Sequence, residues 1–192
     1  MKIKSLRNVG ILLVSLFCMY SCEIEERAHN EELNILELEN KLMQTVLPQD
    51  SKLQASNSVF SYWFKGGTTV ELDANGKVKK GTLLNNTWLR ASGSNIFMWF
   101  KANTIVVFEG DANASLKEGV LLEDTRLSRS GPKYDIWFKG GQRVIFATGQ
   151  EGRVRTGTLR NRTILPNSNN ISVFYESMTE LTFDDFGRVI NQ

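Results

Sequence analysis

The chain has 192 residues, of which 41% are hydrophobic and 23% are charged, enough for one folded domain with its own core. Its 23 lysines and arginines nearly balance its 21 aspartates and glutamates, and the basic residues stand singly among acids. The sequence therefore lacks the blocks of basic residues that are typical of nucleic-acid-binding proteins, and this class of function is not expected. The single histidine, His29, leaves no Ser-His or Cys-His nucleophile pair in the region after it and no histidine for a zinc site there.

Residues 1–21 have the order of a secretory signal peptide. Three basic residues and no acid occupy the first seven positions, and an apolar run follows over positions 9–20. The run is shorter than the roughly 20 apolar residues that a membrane-spanning helix needs. A cleaved signal is therefore favoured over an uncleaved membrane anchor.

The stretch Met19-Tyr20-Ser21-Cys22 resembles the lipobox of bacterial lipoproteins, in which a small residue precedes an acylated cysteine. Ser21 fills the small position, Met19 and Tyr20 depart from the usual residues, and Cys18 follows a bulky phenylalanine. The resemblance implies that Cys22 carries lipid and anchors the protein in a bacterial cell envelope. The expected location is the outer membrane, facing either the periplasm or the outside. No thiol would then remain for a disulfide, a metal or a nucleophile.

Segment 22–49 is predicted to contain the lipidated cysteine and an acidic amphipathic helix. Apolar residues recur at helical spacing from Glu23 to about Val46 without glycine or proline, and Pro48 ends the pattern. The wide apolar stripe favours packing on the domain over a coiled coil. Acids directly after Cys22 resemble a surface-export signal of some lipoproteins, and they suit a helix start equally well. The polar residues 50–58 are predicted to be a linker.

A repeat of about 37 residues dominates the remainder, 59–192. The units are predicted over 59–95, 96–132, 133–170 and 171–192, which makes about 3.5 tandem repeats. An aromatic residue and a glycine recur in step, at Trp63, Trp99, Trp137 and Phe174 and at Gly81, Gly119 and Gly157.

Each unit predicts four short strands. The first is Trp-Phe-Lys, the second alternates as in Val70 and Leu72, the third begins near Val78, and the fourth runs past Thr87. The predicted fold class is mainly β, an antiparallel meander in a single extended or curled sheet, preceded by one N-terminal helix.

A hairpin across Gly66-Gly67 would place Trp63 opposite Val70 and turn the tryptophans toward a face that needs a cover. The cover could be a curl of the sheet, a second sheet or the N-terminal helix. The equivalent Ser177-Met178 is a poor turn sequence, so the last unit is expected to turn differently. On this basis we expect Trp99→Ala to cost about 3–5 kcal/mol.

The hairpins, which combine aromatic residues with glycine, distantly resemble MORN-type repeats. That family builds a single extended sheet, whereas the unit here is longer and lacks the family's tyrosine-glutamate-glycine core. The resemblance implies an architecture and no activity. A propeller is the alternative, although 3.5 units could close a ring only if two chains combined.

The repeats offer little for catalysis or metal binding. The Asp73-Ala74-Asn75-Gly76 segment begins like a calcium loop but lacks the later carboxylates, and Asn-Gly favours a hairpin turn, as does Asp184-Asp185-Phe186-Gly187. A phosphate-binding glycine loop is absent from the sequence. We expect no catalytic residue, metal or cofactor. The remaining enzymatic option is a carboxylate pair for glycoside hydrolysis, drawn from Glu71, Asp73, Glu109 and Asp135.

A second apolar set is predicted on the face opposite to the tryptophans. If exposed, it would form a binding surface, whereas a two-layer core would bury both faces, which strand-spaced aromatics favour. The expected function is a non-catalytic envelope lipoprotein whose β-repeat domain binds a protein or peptidoglycan-associated partner or acts as a scaffold. The alternative is a surface glycan-binding lipoprotein. The set comprises Tyr62, Phe64, Met98, Phe100 and Tyr175.

Overall fold

A computed structural model describes residues 43–56, 58–92, 96–109, 115–131, 134–149 and 151–190. These residues form sixteen β-strands and no helix, which confirms a mainly β, antiparallel fold built from hairpins. Three predictions lie outside the described residues, namely the signal peptide, the lipidation of Cys22 and the N-terminal helix as far as residue 42.

One antiparallel sheet contains eight of the strands. They are β1 (Gln44–Val46), β4 (Thr69–Leu72), β5 (Val78–Thr82), β8 (Ile105–Phe108), β9 (Leu116–Val120), β12 (Arg143–Phe146), β13 (Val154–Thr158) and β16 (Glu180–Thr182). Their order across the sheet is β1-β4-β5-β8-β9-β12-β13-β16, so each of the first three units adds two neighbouring strands and the last unit adds β16.

The other eight strands form four separate two-stranded hairpins, each of which pairs the first strand of a unit with the strand that precedes it in the chain. They are β2 (Ser51–Gln54) with β3 (Ser61–Phe64), β6 (Thr87–Arg90) with β7 (Phe97–Phe100), β10 (Thr125–Ser128) with β11 (Asp135–Phe138), and β14 (Thr163–Pro166) with β15 (Ser172–Tyr175). We call these four hairpins the hairpin layer.

The pairing predicted across Gly66-Gly67 is wrong, although the strands on either side of it exist. Strand β3 pairs with the preceding β2, where Trp63 lies opposite Lys52, and β4 pairs with β1 and β5. The Gly67 amide donates to the Leu47 carbonyl at 2.7 Å. The glycine pair is therefore a corner that carries the chain from a hairpin into the eight-stranded sheet.

Two predicted boundaries also change. Residues Gln44–Val46 form β1 instead of the end of a helix, and Ser51–Gln54 form β2 inside the predicted linker 50–58. The Leu47 amide donates to Thr68 as the Leu83 amide donates to Thr104, both at 3.0 Å. Residues 44–54 thus have the same structure as the last two strands of a unit, such as β5 and β6. Pro48 and the polar composition of this segment make the correspondence hard to recognise in the sequence.

The hairpin layer covers one face of the eight-stranded sheet, so the units themselves supply the cover that the sequence left open. The rings of Phe64, Phe100 and Phe138 are buried against the backbone of the repeat glycines. A Cβ on Gly119 would lie 2.7 Å from Cδ1 of Phe100, closer than carbon atoms pack. The recurring glycine is thereby explained as space for a ring.

The core continues from one unit to the next. Each hairpin phenylalanine meets a sheet phenylalanine of the following unit edge to face, with ring centroids 6.5 Å apart. Because these contacts cross every boundary between units, the repeats share one core. The pairs are Phe64 with Phe108, Phe100 with Phe146, and Phe138 with Phe183.

Candidate functional site

The apolar set proposed from the sequence as a binding surface lies inside the protein. Tyr62 is partly buried, with its ring stacked on Phe108 at 5.8 Å, and burial raises the pKa of its hydroxyl. The set therefore does not form an exposed surface, because β3 pairs with β2, which turns this side of the strand toward the sheet. The buried members are Phe64, Met98, Phe100 and Tyr175.

The aromatic residues that we expected in the core are instead exposed on the outer face of the hairpin layer. Successive strand residues face opposite sides, so burial of Phe64 exposes its neighbour Trp63. We call the four equivalent residues the aromatic column. They are Trp63, Trp99, Trp137 and Phe174, with exposed fractions of 46%, 43%, 40% and 58%.

Each member of the aromatic column has a cross-strand neighbour on the same outer face. In the second hairpin this neighbour is Trp88, whose ring stacks on Trp99 at 6.0 Å with an interplanar angle of 13°. Phe97 meets Trp88 edge to face at 5.7 Å, so this hairpin presents three exposed aromatic rings. The four neighbours, in chain order, are Lys52, Trp88, Arg126 and Ile164.

The following connection flanks the column on its other side. The amides of Leu84, Leu122 and Arg160 donate to the carbonyls of Trp63, Trp99 and Trp137 respectively, each at 2.9 Å. The guanidinium of Arg160 lies 5.0 Å from the Trp137 ring centroid, and that of Arg162 lies 4.4 Å from the Phe174 centroid. Cations at these distances attract the ring faces and hold them in place.

Asp124 fixes the position of Arg160. One carboxylate oxygen accepts the Gly140 amide at 2.8 Å, and the other lies 2.8 Å from the Arg160 Nε. The pKa of Asp124 is lowered by the Gly140 hydrogen bond and by the nearby Lys139 and Arg160, so the carboxylate stays charged at neutral pH. A corner of the fold thereby orients a guanidinium beside the aromatic column.

The acids considered for catalysis serve separate local structures. Glu71 pairs with Lys80 at 2.8 Å, Glu109 accepts hydrogen bonds from Ser92 and Thr148, and Asp135 accepts one from Ser128. Asp73 holds the hairpin turn that the sequence predicts, accepting the amides of Asn75 and Lys77 at 2.8 and 3.0 Å. Within the described residues no three Asp, Glu, His or Cys side chains are grouped so that they could hold a metal ion.

Arg129 is a buried cation away from the aromatic column. It occupies the repeat position of Ala55 and Ala91, and one of its terminal nitrogens donates to the Gly187 carbonyl. Burial lowers its pKa. Because this bond joins the third hairpin to the last turn of the sheet, we assign Arg129 a structural role.

In the part of the chain that the structure describes, no helix is long and apolar enough to cross a membrane. Comparison with known proteins finds no matching family model, no matching curated protein and no matching solved structure.

Proposed function

We propose that this protein is a non-catalytic, lipid-anchored component of a bacterial cell envelope whose β-repeat domain binds an extended glycan on the aromatic column. One observation carries the binding proposal: an exposed aromatic ring occupies the same position on four successive hairpins. Such a ring exposes apolar area that water solvates poorly, and a recurring set of them forms the kind of patch that marks an interaction site.

A repeating ligand suits a repeating surface. Successive units are offset by two strands of the sheet, so the column advances by about 10 Å per ring. Sugar rings offer an apolar face that stacks on an aromatic side chain, and a polymer presents the same face again further along. Several weak contacts on one chain then reinforce each other, because each engagement raises the effective concentration for the next.

A protein partner is the second candidate, and the second hairpin favours it. Trp88, Phe97 and Trp99 form a compact exposed aromatic cluster, and protein interfaces concentrate their binding energy in such clusters. This candidate predicts dependence on one hairpin, whereas the glycan proposal predicts dependence on column residues of separate hairpins.

The anchor is proposed from the sequence, through the signal-like residues 1–21 and the lipobox-like residues ending at Cys22. Several acyl chains on one cysteine would bind the membrane firmly, since each buried methylene contributes about 0.8 kcal/mol. We expect Cys22→Ala to move the protein from the membrane fraction to the soluble fraction with its β domain still folded. A Cys22→Ala protein that remained in the membrane fraction would refute the anchor.

The binding proposal is tested on a glycan array with the Cys22→Ala protein as reference. We expect Trp63→Ala, Trp99→Ala and Trp137→Ala each to weaken binding at least tenfold, because each removes one stacking contact. Phe186→Ala is the matched control, since Phe186 is an exposed aromatic residue outside the hairpin layer.

Two results would overturn the glycan proposal. One is that the protein binds none of the bacterial, host and dietary glycans on the array. The other is that all three tryptophan variants bind as well as the reference protein. If the array is silent and crosslinked envelopes yield one specific protein that Trp99→Ala fails to capture, the second candidate is correct.

A further inference from the structure

We infer that the glycan is acidic and that Lys52 and Arg126, beside the aromatic column, contact its carboxylate or sulfate groups. This inference rests on the proposed function, because it specifies the ligand of the same surface.

The outer face of the hairpin layer has an excess of positive charge. Among the outward-facing positions of its eight strands, which are those that alternate with the buried leucines and phenylalanines, three are basic and one is acidic. The single acid, Asp135, accepts a hydrogen bond from Ser128 on the paired strand. The three basic residues are Lys52, Arg90 and Arg126.

Some of the basic residues on the opposite side of the molecule are paired with acids. On the outer face of the eight-stranded sheet, Lys80 pairs with Glu71 at 2.8 Å, and Arg143 makes two bonds to Glu118 at 2.7 and 2.8 Å. By contrast, Lys52 and Arg126 are exposed, and neither forms an ion pair with any residue that the structure describes. Positive charge without an ion pair among the described residues therefore lies beside the aromatic column, opposite Trp63 and Trp137.

The third hairpin places this charge next to a stacking ring. Trp137 lies directly opposite Arg126 on the paired strand, and Arg160 lies on its other flank, held by Asp124. A sugar stacked on Trp137 would present its edge substituents to Arg126. A guanidinium binds a carboxylate or sulfate through two parallel hydrogen bonds, which are stronger than bonds to neutral hydroxyls.

The first hairpin repeats the arrangement with Lys52 opposite Trp63, whereas the second carries Trp88 at the equivalent place. The two free cations are thus separated by two repeats, roughly 20 Å along the sheet. A polymer with charges along its length can reach both, while a short acidic ligand can reach only one. The arrangement selects long acidic glycans over neutral ones and over short oligosaccharides.

The test compares polymers that differ only in charge. The probes are polygalacturonate against its methyl ester, and chondroitin sulfate against desulfated, methyl-esterified chondroitin, measured at low and at physiological salt. We expect the reference protein to bind an acidic member at least tenfold more tightly than its neutral match, with a preference that shrinks as salt increases.

The double variant Lys52→Gln/Arg126→Gln should reduce that preference to within about twofold, because the charge contacts to the acidic groups are lost. The matched control is Lys79→Gln/Lys117→Gln, which removes two exposed positive charges from the eight-stranded sheet and should leave the preference intact.

The outcomes separate the two claims. If the tryptophan variants lose binding but the double variant keeps the acidic preference, or the reference protein binds both members of each pair equally, the inference fails and the proposed function stands. If neither acidic nor neutral polymers bind, or the captured ligand is an acidic protein, both fail.

Discussion

Adjacent aromatic residues in each repeat lie in opposite environments. Phe100 is fully buried between the hairpin layer and the eight-stranded sheet, while its neighbour Trp99 is 43% exposed. Hydrophobicity does not decide which ring faces inward, since both are large and apolar. The glycine on the sheet decides it, because the inward ring rests where a Cβ would collide and the outward ring needs no such space.

This difference predicts unequal costs of truncation. Phe100→Ala should lower the free energy of unfolding by about 3–5 kcal/mol, as expected for a buried aromatic ring. Trp99→Ala should lower it by only about 0.5–1.5 kcal/mol, the range for an exposed aromatic pair such as Trp88–Trp99. Urea denaturation of both variants measures this. Equal costs would mean that Trp99 belongs to the core and is not free for a ligand.

The repeat glycine gives a second prediction at this scale. Gly119→Ala should destabilise by about 1–3 kcal/mol, because the new methyl group meets the Phe100 ring. Lys117→Ala, two residues away on the same strand but exposed, should change stability by less than about 0.5 kcal/mol.

Phe100→Leu removes the ring edge that the new methyl would strike. The double variant Gly119→Ala/Phe100→Leu should therefore be less destabilised than the sum of the two single variants. Additive costs would contradict the close packing of ring on glycine.

The corners that lead into the eight-stranded sheet have the same backbone conformation in all four units, although their sequences differ. The residues with positive φ are Gly67, Asn103, Gly141 and Met178. The Met178 amide donates to Leu159 at 2.9 Å just as the Gly141 amide donates to Leu121 at 2.8 Å. The expectation that Ser177-Met178 turns differently is therefore wrong: pairing with the neighbouring strands imposes the left-handed conformation on a residue that disfavours it.

The turns of the sheet make stability depend on pH. Burial alone would raise the pKa of Asp73, but hydrogen bonds from Ser56, Lys77 and Asn75 outweigh it and lower the pKa below the usual range. In Asp184, hydrogen bonds from Arg188 and Phe186 likewise overcome burial and lower the pKa. Because the folded state binds protons less readily than the unfolded state, both carboxylates stabilise the fold at neutral pH.

That contribution is complete above the unfolded pKa of about 3.9 and disappears as the pH falls through the lower folded values. We expect these two groups to leave stability unchanged between about pH 7 and pH 5 and to lower it below about pH 4. We call the fall in the free energy of unfolding below about pH 4 the acid limb. The double variant Asp73→Asn/Asp184→Asn should flatten this limb, as measured by urea denaturation at a series of pH values. An unchanged acid limb in this variant would show that other groups cause it.

Across the whole molecule, the sequence predicts the strands and the repeat but not their pairing. Alternation near Val70 and the recurrence of Gly81 are local signals, and both correspond to real elements. Strand β3, which contains Trp63 and Phe64, pairs with β2 and not with β4, and the local sequence does not distinguish the two partners. A Gly-Gly pair is compatible with a corner as well as with a hairpin turn. The partner of β3 determines which aromatic side is exposed.

The candidate site was missed for the same reason. The sequence identifies the column residues as equivalent. The hairpin predicted across Gly66-Gly67, however, would turn these residues toward the core and would turn Phe64 and its equivalents toward solvent. The sequence nevertheless contains a usable signal, since Gly81, Gly119 and Gly157 leave space for a bulky ring above each of them. The charge excess beside the column depends on Lys52, which belongs to a strand that the sequence presents as a linker.

The chain contains four tryptophans, and all of them lie exposed on the hairpin layer: Trp63, Trp88, Trp99 and Trp137. Tryptophan fluorescence therefore reports on the proposed binding surface alone. Acrylamide quenching should be efficient in the free protein, and a saturating acidic glycan should reduce it and shift the emission to shorter wavelengths, because stacked sugars exclude water and quencher. A glycan that binds to saturation but leaves the quenching and the emission unchanged would contradict the aromatic column as the binding surface.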